Sequence, residues 1–518
     1  MAGGTDDIDE EVDADLGMGR REEPRIEFYG GRWASAIPLG LFVVWAIFQS
    51  GVLQIGDTTG LVAGMLVSLV VGMFFVRGSW STYANTIFEG MTQRVAATAI
   101  VAWLWAGMFA QTLQDGGFVN GLVWAADALH VSGPLFPAAT FVLAALLATG
   151  IGTGYGTTIT FVSLFFPAGV LLGANPVLLF GAILSGAVFG DNLAPVSDTT
   201  IVSAVTQDAD IGGVVASRFK YALVAAALAL VAYLVAGFSM PASGVDVAAS
   251  AGLGSEANPL GLVHLVSIAV VIGTAVRGRH IVEAISWGIV TAFVFNVVLG
   301  LAPVSQMLAF RAPEGLAAAQ SLSWLPFVVL VPAGEAGVGG SLYAGAAGFF
   351  PLIVLTLLIV AGARIMIRGG GFESLQNWLL NAVATNVTRA ETTMVLGTGL
   401  INAMITINTA AEIAIAPYIA RIGERYNING YRRANILDAN TSALGYIFPW
   451  AGGVLVGYAQ MPDLVATYGT DAMLVQPARV VPFVFHGWFL VAVFLLAALT
   501  GFGREYIPDR TSGEVARV

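Results

Sequence analysis

The sequence predicts an all-α polytopic membrane protein of about 11–13 transmembrane helices, with two inverted repeats that contain broken or re-entrant helices. Three observations lead there. The 518 residues are 57% hydrophobic and only 11% charged, against about 25% charged in an ordinary soluble domain. Apolar runs recur, many close to the roughly 20 residues that carry a helix across a ~30 Å hydrocarbon core, and they lack the alternation of a membrane barrel. Two of these runs, near residues 190 and 440, are interrupted by aspartates, amides and hydroxyls.

Taken in order, residues 1–34 read as an acidic cytoplasmic tail, because TDDIDEEVDAD has no apolar stretch of the kind a signal peptide needs. Apolar spans are predicted at 35–53, 58–76, 96–113, 136–150, 157–174, 176–190, 221–240, 259–276, 282–300, 344–363, 392–420, 443–458 and 481–502. They divide into an N-terminal transmembrane half (35–240, repeat core 136–205), an extracellular loop (241–258) and connecting transmembrane helices (259–370). A C-terminal half (371–503, repeat core 390–460) and a second cytoplasmic tail (504–518) follow. Arg20, Arg21, Arg25 and Arg32 precede the first span. Arg218 with Lys220, Arg277 with Arg279, Arg364 with Arg368, and Arg421 to Arg433 mark later turns, whereas 241–258 and 460–478 hold no basic residue. The positive-inside rule then places both termini in the cytoplasm of a multi-pass plasma-membrane protein.

Composition removes several function classes. There is no cysteine, so disulfides, thiol catalysis and cysteine metal sites are excluded. The four histidines, His130, His264, His280 and His486, are scattered without metal-ligand spacing. No G-x-x-x-x-G-K-[ST] loop is present, which argues against ATP-driven transport. A net charge of −11 with a single lysine fits a halophile.

The stretch VFGDNLAPVSDTTIVSA (188–204) carries the sharpest signal. A carboxylate in hydrocarbon costs about 2.5–3.5 kcal/mol on insertion scales, and here there are two. Pro195 removes an N–H and biases Ala194 away from helix, so a break is predicted. With it come Asp191, Asn192, Ser197, Asp198, Thr199 and Thr200, oxygen groups suited to a hard monovalent cation such as Na+. A plainer reading is a helix end at the interface, with Asp198 capping a helix from Thr199. ATGIGTGYGTTIT (148–160) reads as a second unwound segment, with Thr153, Thr157 and Thr158 offering hydroxyls and Tyr155 a gate or donor. Close packing by small residues explains it equally.

The second half offers Asn402, Thr406, Asn408, Thr409 and Glu412, then a polar break at Asp438 with Asn440, Thr441 and Ser442. Asn402 and Thr406 share a helix face, as do Asn408 and Glu412. Asp438 alternatively pairs with Arg432 or Arg433 at a helix end, and Glu391, close to Arg389, reads as a helix start. The two broken units lie roughly 250 residues apart and run in opposite directions, as in inverted-repeat secondary transporters.

F-G-D-N-L-A-P-V-S-D-T-T-I-V-S (189–203) resembles the signature of the NhaC-type Na+/H+ antiporter family, a branch of the ion transporter superfamily. T-G-I-G-T-G-Y-G-T-T (149–158) is similar to that family's Gly/Thr-rich segment, and LDANTSALGYIFPW (437–450) to its acidic-small-Thr segment. Ala451 and Gly452 depart from the pattern, as does the stretch from Asn408 to Glu412. The resemblance implies a secondary active transporter, not an enzyme, that exchanges Na+ for H+ by alternating access. It implies no cofactor beyond the transported ions. The partners expected are inorganic cations, protons and membrane lipid, without nucleic acid, and the scaffold allows a homo-oligomer.

Asp191, Asp198, Asp438 and Glu412 are the expected ion- or proton-binding carboxylates, with Asp191 and Asp198 the Na+ ligands. Thr153, Tyr155, Thr157, Thr158, Asn192, Ser197, Thr199, Thr200, Asn402, Asn408, Asn440 and Thr441 stand in support. A carboxylate that holds either H+ or Na+ couples the two by competition. The alternative is a sodium- or proton-coupled exchanger of organic acids such as malate and lactate. It needs a cation or an amide beside the breaks, where the sequence offers only Asn192, Asn402, Asn408 and Asn440, and because no arginine is read inside either core, inorganic ions are preferred.

Overall fold

The computed structural model describes residues 25–128, 132–195, 197–243, 258–277 and 279–507. Most of the expected acidic tail, most of the 241–258 loop, His130 and the end of the 504–518 tail therefore lie outside the described residues. Among the described residues, seven helices are long and apolar enough to cross a membrane, or eight if the bent pair Pro477–Phe483 and Phe485–Thr500 counts as one span. Shorter apolar helices at Thr58–Met73, Pro259–Ala275 and Val282–Val298 add to these. The chain is a helical membrane protein.

The principal helices begin with α1 (Ile37–Ala46), α2 (Thr58–Met73), α3 (Trp80–Met91), α4 (Arg94–Asp115) and α5 (Phe118–Ala128). A first unit follows: α6 (Phe136–Ile151), α7 (Gly154–Leu171), α8 (Pro176–Leu193), α9 (Asp198–Thr206) and α10 (Ile211–Ser239). Next come α11 (His264–Val276), α12 (Ile281–Val298), strands β1 (Ala309–Pro313), β2 (Val328–Val331) and β3 (Gly337–Gly339), and α13 (Phe350–Arg368). The second unit is α14 (Val387–Ile405), α15 (Asn408–Arg425), α16 (Gly430–Leu444) and α17 (Gly452–Tyr458), and α18 (Phe485–Thr500) ends the described chain's helices.

The strands correct the all-helical expectation for the connecting region. They form one small sheet in the order β2-β1-β3, with Phe310 opposite Val328 in parallel and opposite Val338 antiparallel. The run VVLV is apolar and β-branched but bounded by Pro326 and Pro332, too short for a helix and suited to a strand.

The two units repeat one element order. α6 ends at Gly152, left-handed at φ 72°, whose N–H bonds Ala148 O at 2.9 Å; Thr153 is extended and α7 starts at once. α14 ends at Thr406, left-handed at φ 65°, whose N–H bonds Asn402 O at 2.8 Å; Ile407 is extended and α15 starts. α7 and α15 each hold an internal proline, Pro167 and Pro417. α8 and α16 each open on an asparagine cap, Asn175 and Asn429, and each breaks before a short helix. A threonine in the left-handed region costs on the order of 1–3 kcal/mol. Thr406 is held there in part because its carbonyl accepts the Gly452 N–H at 2.9 Å, tying the two breaks of the second unit together.

The breaks differ in place from those expected. α8 continues through Asp191 and Asn192 to Leu193, and α9 starts only at Asp198; between them Pro195 forces Ala194 extended at ψ 120°. Asp198 is the first residue of α9 rather than a cap before Thr199. Asp438 lies in mid-helix on α16, and the break follows at 445–451, because LDANTSAL contains no glycine or proline and Gly445 is the first residue to permit one. Thr406, at the end of α14, leaves the helix face it was expected to share with Asn402.

α7 and α8 are enclosed by the other helices, with 100% and 83% of their apolar windows buried, whereas α10 has only 22% buried. Its buried residues form a stripe: Val214, Arg218, Tyr221, Ala222, Ala225 and Ala229. Helical spacing therefore turns Arg218 inward with the apolar face rather than outward.

Gly445 marks the tightest approach between α15 and α16: a Cβ there would stand 1.6 Å from Asn408 Oδ1. Gly445→Ala is expected to destabilise the purified protein by about 1–3 kcal/mol through overpacking. Gly40→Ala, with nothing within 4 Å of the added carbon, is expected to leave the unfolding temperature in detergent unchanged or slightly raised.

Candidate functional site

Asp191 sits in the last turn of α8, 3% exposed. Its Oδ1 accepts the Ser197 hydroxyl at 2.9 Å, and its Oδ2 accepts Tyr446 OH at 3.2 Å and Asn408 Nδ2 at 3.4 Å. Asp198 opens α9; its Oδ1 accepts the Thr199 N–H at 3.0 Å and its Oδ2 the Thr409 hydroxyl. The partners of both carboxylates are hydroxyls, an amide and a backbone N–H, none of them a cation. Both line a cavity of about 460 Å³, together with Thr153, Tyr155 and Thr409, and with Arg279 and His280 also on its wall.

The sequence folds this way because the two left-handed breaks bring helix N-termini to one place. The Asn408 N–H, at the start of α15, points at Tyr155 OH at 3.4 Å, and Tyr155 lies one residue into α7. Free N–H groups at a helix start carry partial positive charge, which favours a nearby carboxylate. Tyr155 also stacks edge-on with Trp103 and lies tilted against Tyr446, so three aromatic rings brace the acid. Ser197 and Thr199 hydroxyls are 3.0 Å apart, and Thr199 and Thr200 reach the Asp191 carbonyl at 3.5 and 3.4 Å.

Asp438 has a different fate. Its Oδ2 is ion-paired with Arg218 Nη1 and accepts Thr200 Oγ1 at 3.2 Å, while its Oδ1 accepts Ser442 Oγ at 2.6 Å. Arg218 is fully buried and further donates to Asn192 O at 2.6 Å, Asn435 Oδ1 at 3.1 Å and Ser203 Oγ at 3.5 Å. An arginine therefore does lie inside the core, contrary to the reading that none did and that Arg218 marked a turn. Neither partner considered for Asp438 takes it: Arg432 bonds Glu391 at 2.8 Å, and Arg504 reaches the second oxygen of Glu391 at 2.8 Å. Glu391 is thus a buried ion-pair centre and not merely a helix start. Arg433 donates to the carbonyls of Gln207 and Ala420.

Glu412 stands apart from the cavity wall, fully buried on α15. Its Oε1 accepts the Thr441 hydroxyl at 2.9 Å and its Oε2 has no partner. Asn402 donates to Thr441 O at 2.8 Å, and Asn440 and Asn192 bond back to Ile436 O and Val188 O within their own helices. Thr157 likewise bonds back to Thr153 O at 3.0 Å, and Thr158 is buried with its hydroxyl unpartnered. Neither lines the cavity.

Asp438 thus takes up the Arg218 guanidinium, while the oxygens of Asp191 and Asp198 that face the cavity are the hard donors that small cations prefer. Thr409 and Ser442, offered by the second half, join the cluster, and Arg218 and Tyr446 complete it although neither was singled out as a site residue. For Arg218 the missed signal was its place on the apolar stripe of α10.

Removing one partner of a buried ion pair leaves an uncompensated charge, a loss of about 3–5 kcal/mol. Arg218→Met and Asp438→Leu are each expected to lower the unfolding temperature in detergent sharply. The Arg218→Met/Asp438→Leu double variant is expected to recover most of that loss, which a double-mutant cycle measures.

The chain is similar to several known proteins. Over 212 residues the chain is 26% identical to the malate-2H(+)/Na(+)-lactate antiporter of Bacillus subtilis, which covers 41% of this chain and 44% of that protein. It is 25% identical over 162 residues to the Na(+)/H(+) antiporter NhaC of Alkalihalophilus pseudofirmus, 31% of this chain and 34% of that one. Each of these two matches thus spans less than half of the relative's length. A longer match, 23% identical over 472 residues, covers 82% of this chain and 91% of the arginine/ornithine antiporter ArcD of Halobacterium salinarum. The Na+/H+ antiporter family matches residues 32–238 and 204–488, nearly the whole helical chain, and this protein belongs to that family of transporters.

Proposed function

We propose that this chain is a secondary active transporter, not an enzyme, which exchanges Na+ for H+ across the plasma membrane by alternating access with both termini cytoplasmic. The observation that carries the reading is the pair Asp191 and Asp198 on one cavity, with hydroxyls and helix N-termini but no cation as partners. A dehydrated Na+ needs oxygens to replace its water, and Asp191, Asp198, Ser197, Thr199 and Thr409 are placed to supply them. Asp438 belongs to the ion pair with Arg218 rather than to the ligand shell. The four breaks, at 152–153, between Leu193 and Asp198, at 406–407 and at 445–451, are the joints at which one unit rocks against the other. Arg279, one of the basic residues by which the positive-inside rule marks the cytoplasmic side, lies with His280 on the wall of the cavity.

One observation favours a second reading. The cavity, at about 460 Å³, is larger than a bare Na+ requires, and two relatives are organic-solute antiporters by name. An organic acid would need a cation at the cavity. The buried arginine is taken up by Asp438, which leaves Arg279 and His280 for that task.

In proteoliposomes with an internal pH dye, Na+ alone is expected to change the internal pH of the wild type and to leave Asp191→Asn and Asp198→Asn silent. Ser197→Ala, which removes a hydrogen bond to a charged group worth about 1.5–3 kcal/mol, is expected to weaken the apparent Na+ affinity by about tenfold or more while keeping exchange. A pH response only when malate, lactate or arginine is added would transfer the protein to the second reading.

A further inference from the structure

We infer that Glu412 carries the exchanged proton at a place of its own, separate from the cavity where Asp191 and Asp198 hold the cation. The inference rests on the exchange reading above and assigns its two ions to two sites, in place of competition on one carboxylate.

Glu412 Oε2 is buried and lacks a donor, as do the amide oxygens Asn402 Oδ1 and Asn440 Oδ1 on α14 and α16. The amide orientations follow from their surroundings. Asn402 Nδ2 donates to Thr441 O at 2.8 Å and Asn440 Nδ2 to Ile436 O at 2.6 Å, so each Oδ1 must face the other way. An unmatched buried acceptor is costly, and an unmatched buried charge costs more. The neutral acid of Glu412 leaves no charge unmatched in this enclosed place; the ionised form adds a buried charge whose Oε2 has no donor.

The charged groups facing Glu412 are Asp438 on α16, Arg218 on α10 and Asp198 on α9. α14 contributes the amide of Asn402 through Thr441. Asp438 and Arg218 offset each other in their ion pair, and Arg218 has its remaining hydrogen bonds with Asn192, Asn435 and Ser203. What remains opposite Glu412 is the negative charge of Asp198, so no counter-ion is left for a carboxylate there. Glu412 is also 0% exposed, whereas Asp191 and Asp198 line the cavity. A hydrated cation has a route to the aspartates and none to Glu412.

Coupling follows from α15. Thr409, bonded to Asp198, and Glu412 stand three residues apart on one helix face. A cation that draws Asp198 and Thr409 inward shifts the turn carrying Glu412. That shift opens Glu412 to the water of the cavity, which accepts its proton and leaves a carboxylate; when the cation leaves, the carboxylate takes a proton back from that water before it is enclosed again.

The test uses purified full-length protein in proteoliposomes, with 22Na+ for Na+/Na+ exchange at fixed pH and an internal dye for Na+-driven proton movement. Glu412→Gln is expected to keep Na+/Na+ exchange and to lose proton movement. Glu412→Asp is expected to keep both, with a shifted pH profile. Proton movement in Glu412→Gln overturns the inference, and so does loss of Na+/Na+ exchange in folded, monodisperse Glu412→Gln. If that variant does not fold, an unshifted pH profile in Glu412→Asp overturns it. Failure of the underlying reading shows separately, as absence of Na+/Na+ exchange in the wild type or its persistence in Asp191→Asn.

Discussion

One guanidinium holds the centre of this molecule. Arg218 is fully buried, yet it ties three parts of the chain together: α10, which carries it; the end of α8, through the Asn192 carbonyl; and α16, through Asp438 and Asn435. The desolvation of such a pair is met only when its remaining donors and acceptors are also satisfied. Thr200 and Ser442 complete Asp438, and Ser203 lies at the far edge of the guanidinium. The first break, between α8 and α9, is thereby anchored to the second unit next to the cavity.

This anchoring sorts the acids. With Asp438 taken up by Arg218, the carboxyl groups that remain are Asp191, Asp198 and Glu412, and each meets different surroundings. Asp191 and Asp198 meet hydroxyls, helix N-termini and a cavity; Glu412 is enclosed, with one hydroxyl on Oε1 and no partner on Oε2. Similar carboxyl groups thus acquire different tasks from position alone. The unwound segments make this arrangement feasible at membrane depth, where irregular backbone persists only if buried in protein or lining a cavity. Both conditions hold here: 152–153 lies on the cavity wall, and 445–451 is covered by Tyr155 and the Thr406 carbonyl.

Much of this was legible in the sequence, for identifiable reasons. Two aspartates and a proline in an apolar run can hardly be anything but a break with a purpose, and Asp191, Ser197 and Asp198 came together as expected. The glycine run at 150–156 announced the left-handed turn at Gly152. What stayed hidden depends on partners distant in the chain. Arg218 and Asp438 are 220 residues apart, as an arginine after a polar loop reads as a topology marker until a fold turns it inward. Glu391 is held by Arg432 and Arg504 from two other segments, and nothing local to it says so. The break expected at Asp438 lay farther on because polar residues alone do not interrupt a helix, and the left-handed turn at Thr406 came without the glycine that usually signals one. The small sheet was missed because a single apolar tetrapeptide between prolines leaves little trace among spans of helix length.

The most direct measurement is equilibrium binding of 22Na+ to the purified protein in detergent, comparing Asp191→Asn with the Arg218→Met/Asp438→Leu double variant. If Asp191 and Asp198 hold the cation while Arg218 and Asp438 form the frame, binding disappears in the first and persists in the second. Binding that survives in Asp191→Asn and vanishes when the ion pair is replaced would contradict this division and place the cation on Asp438.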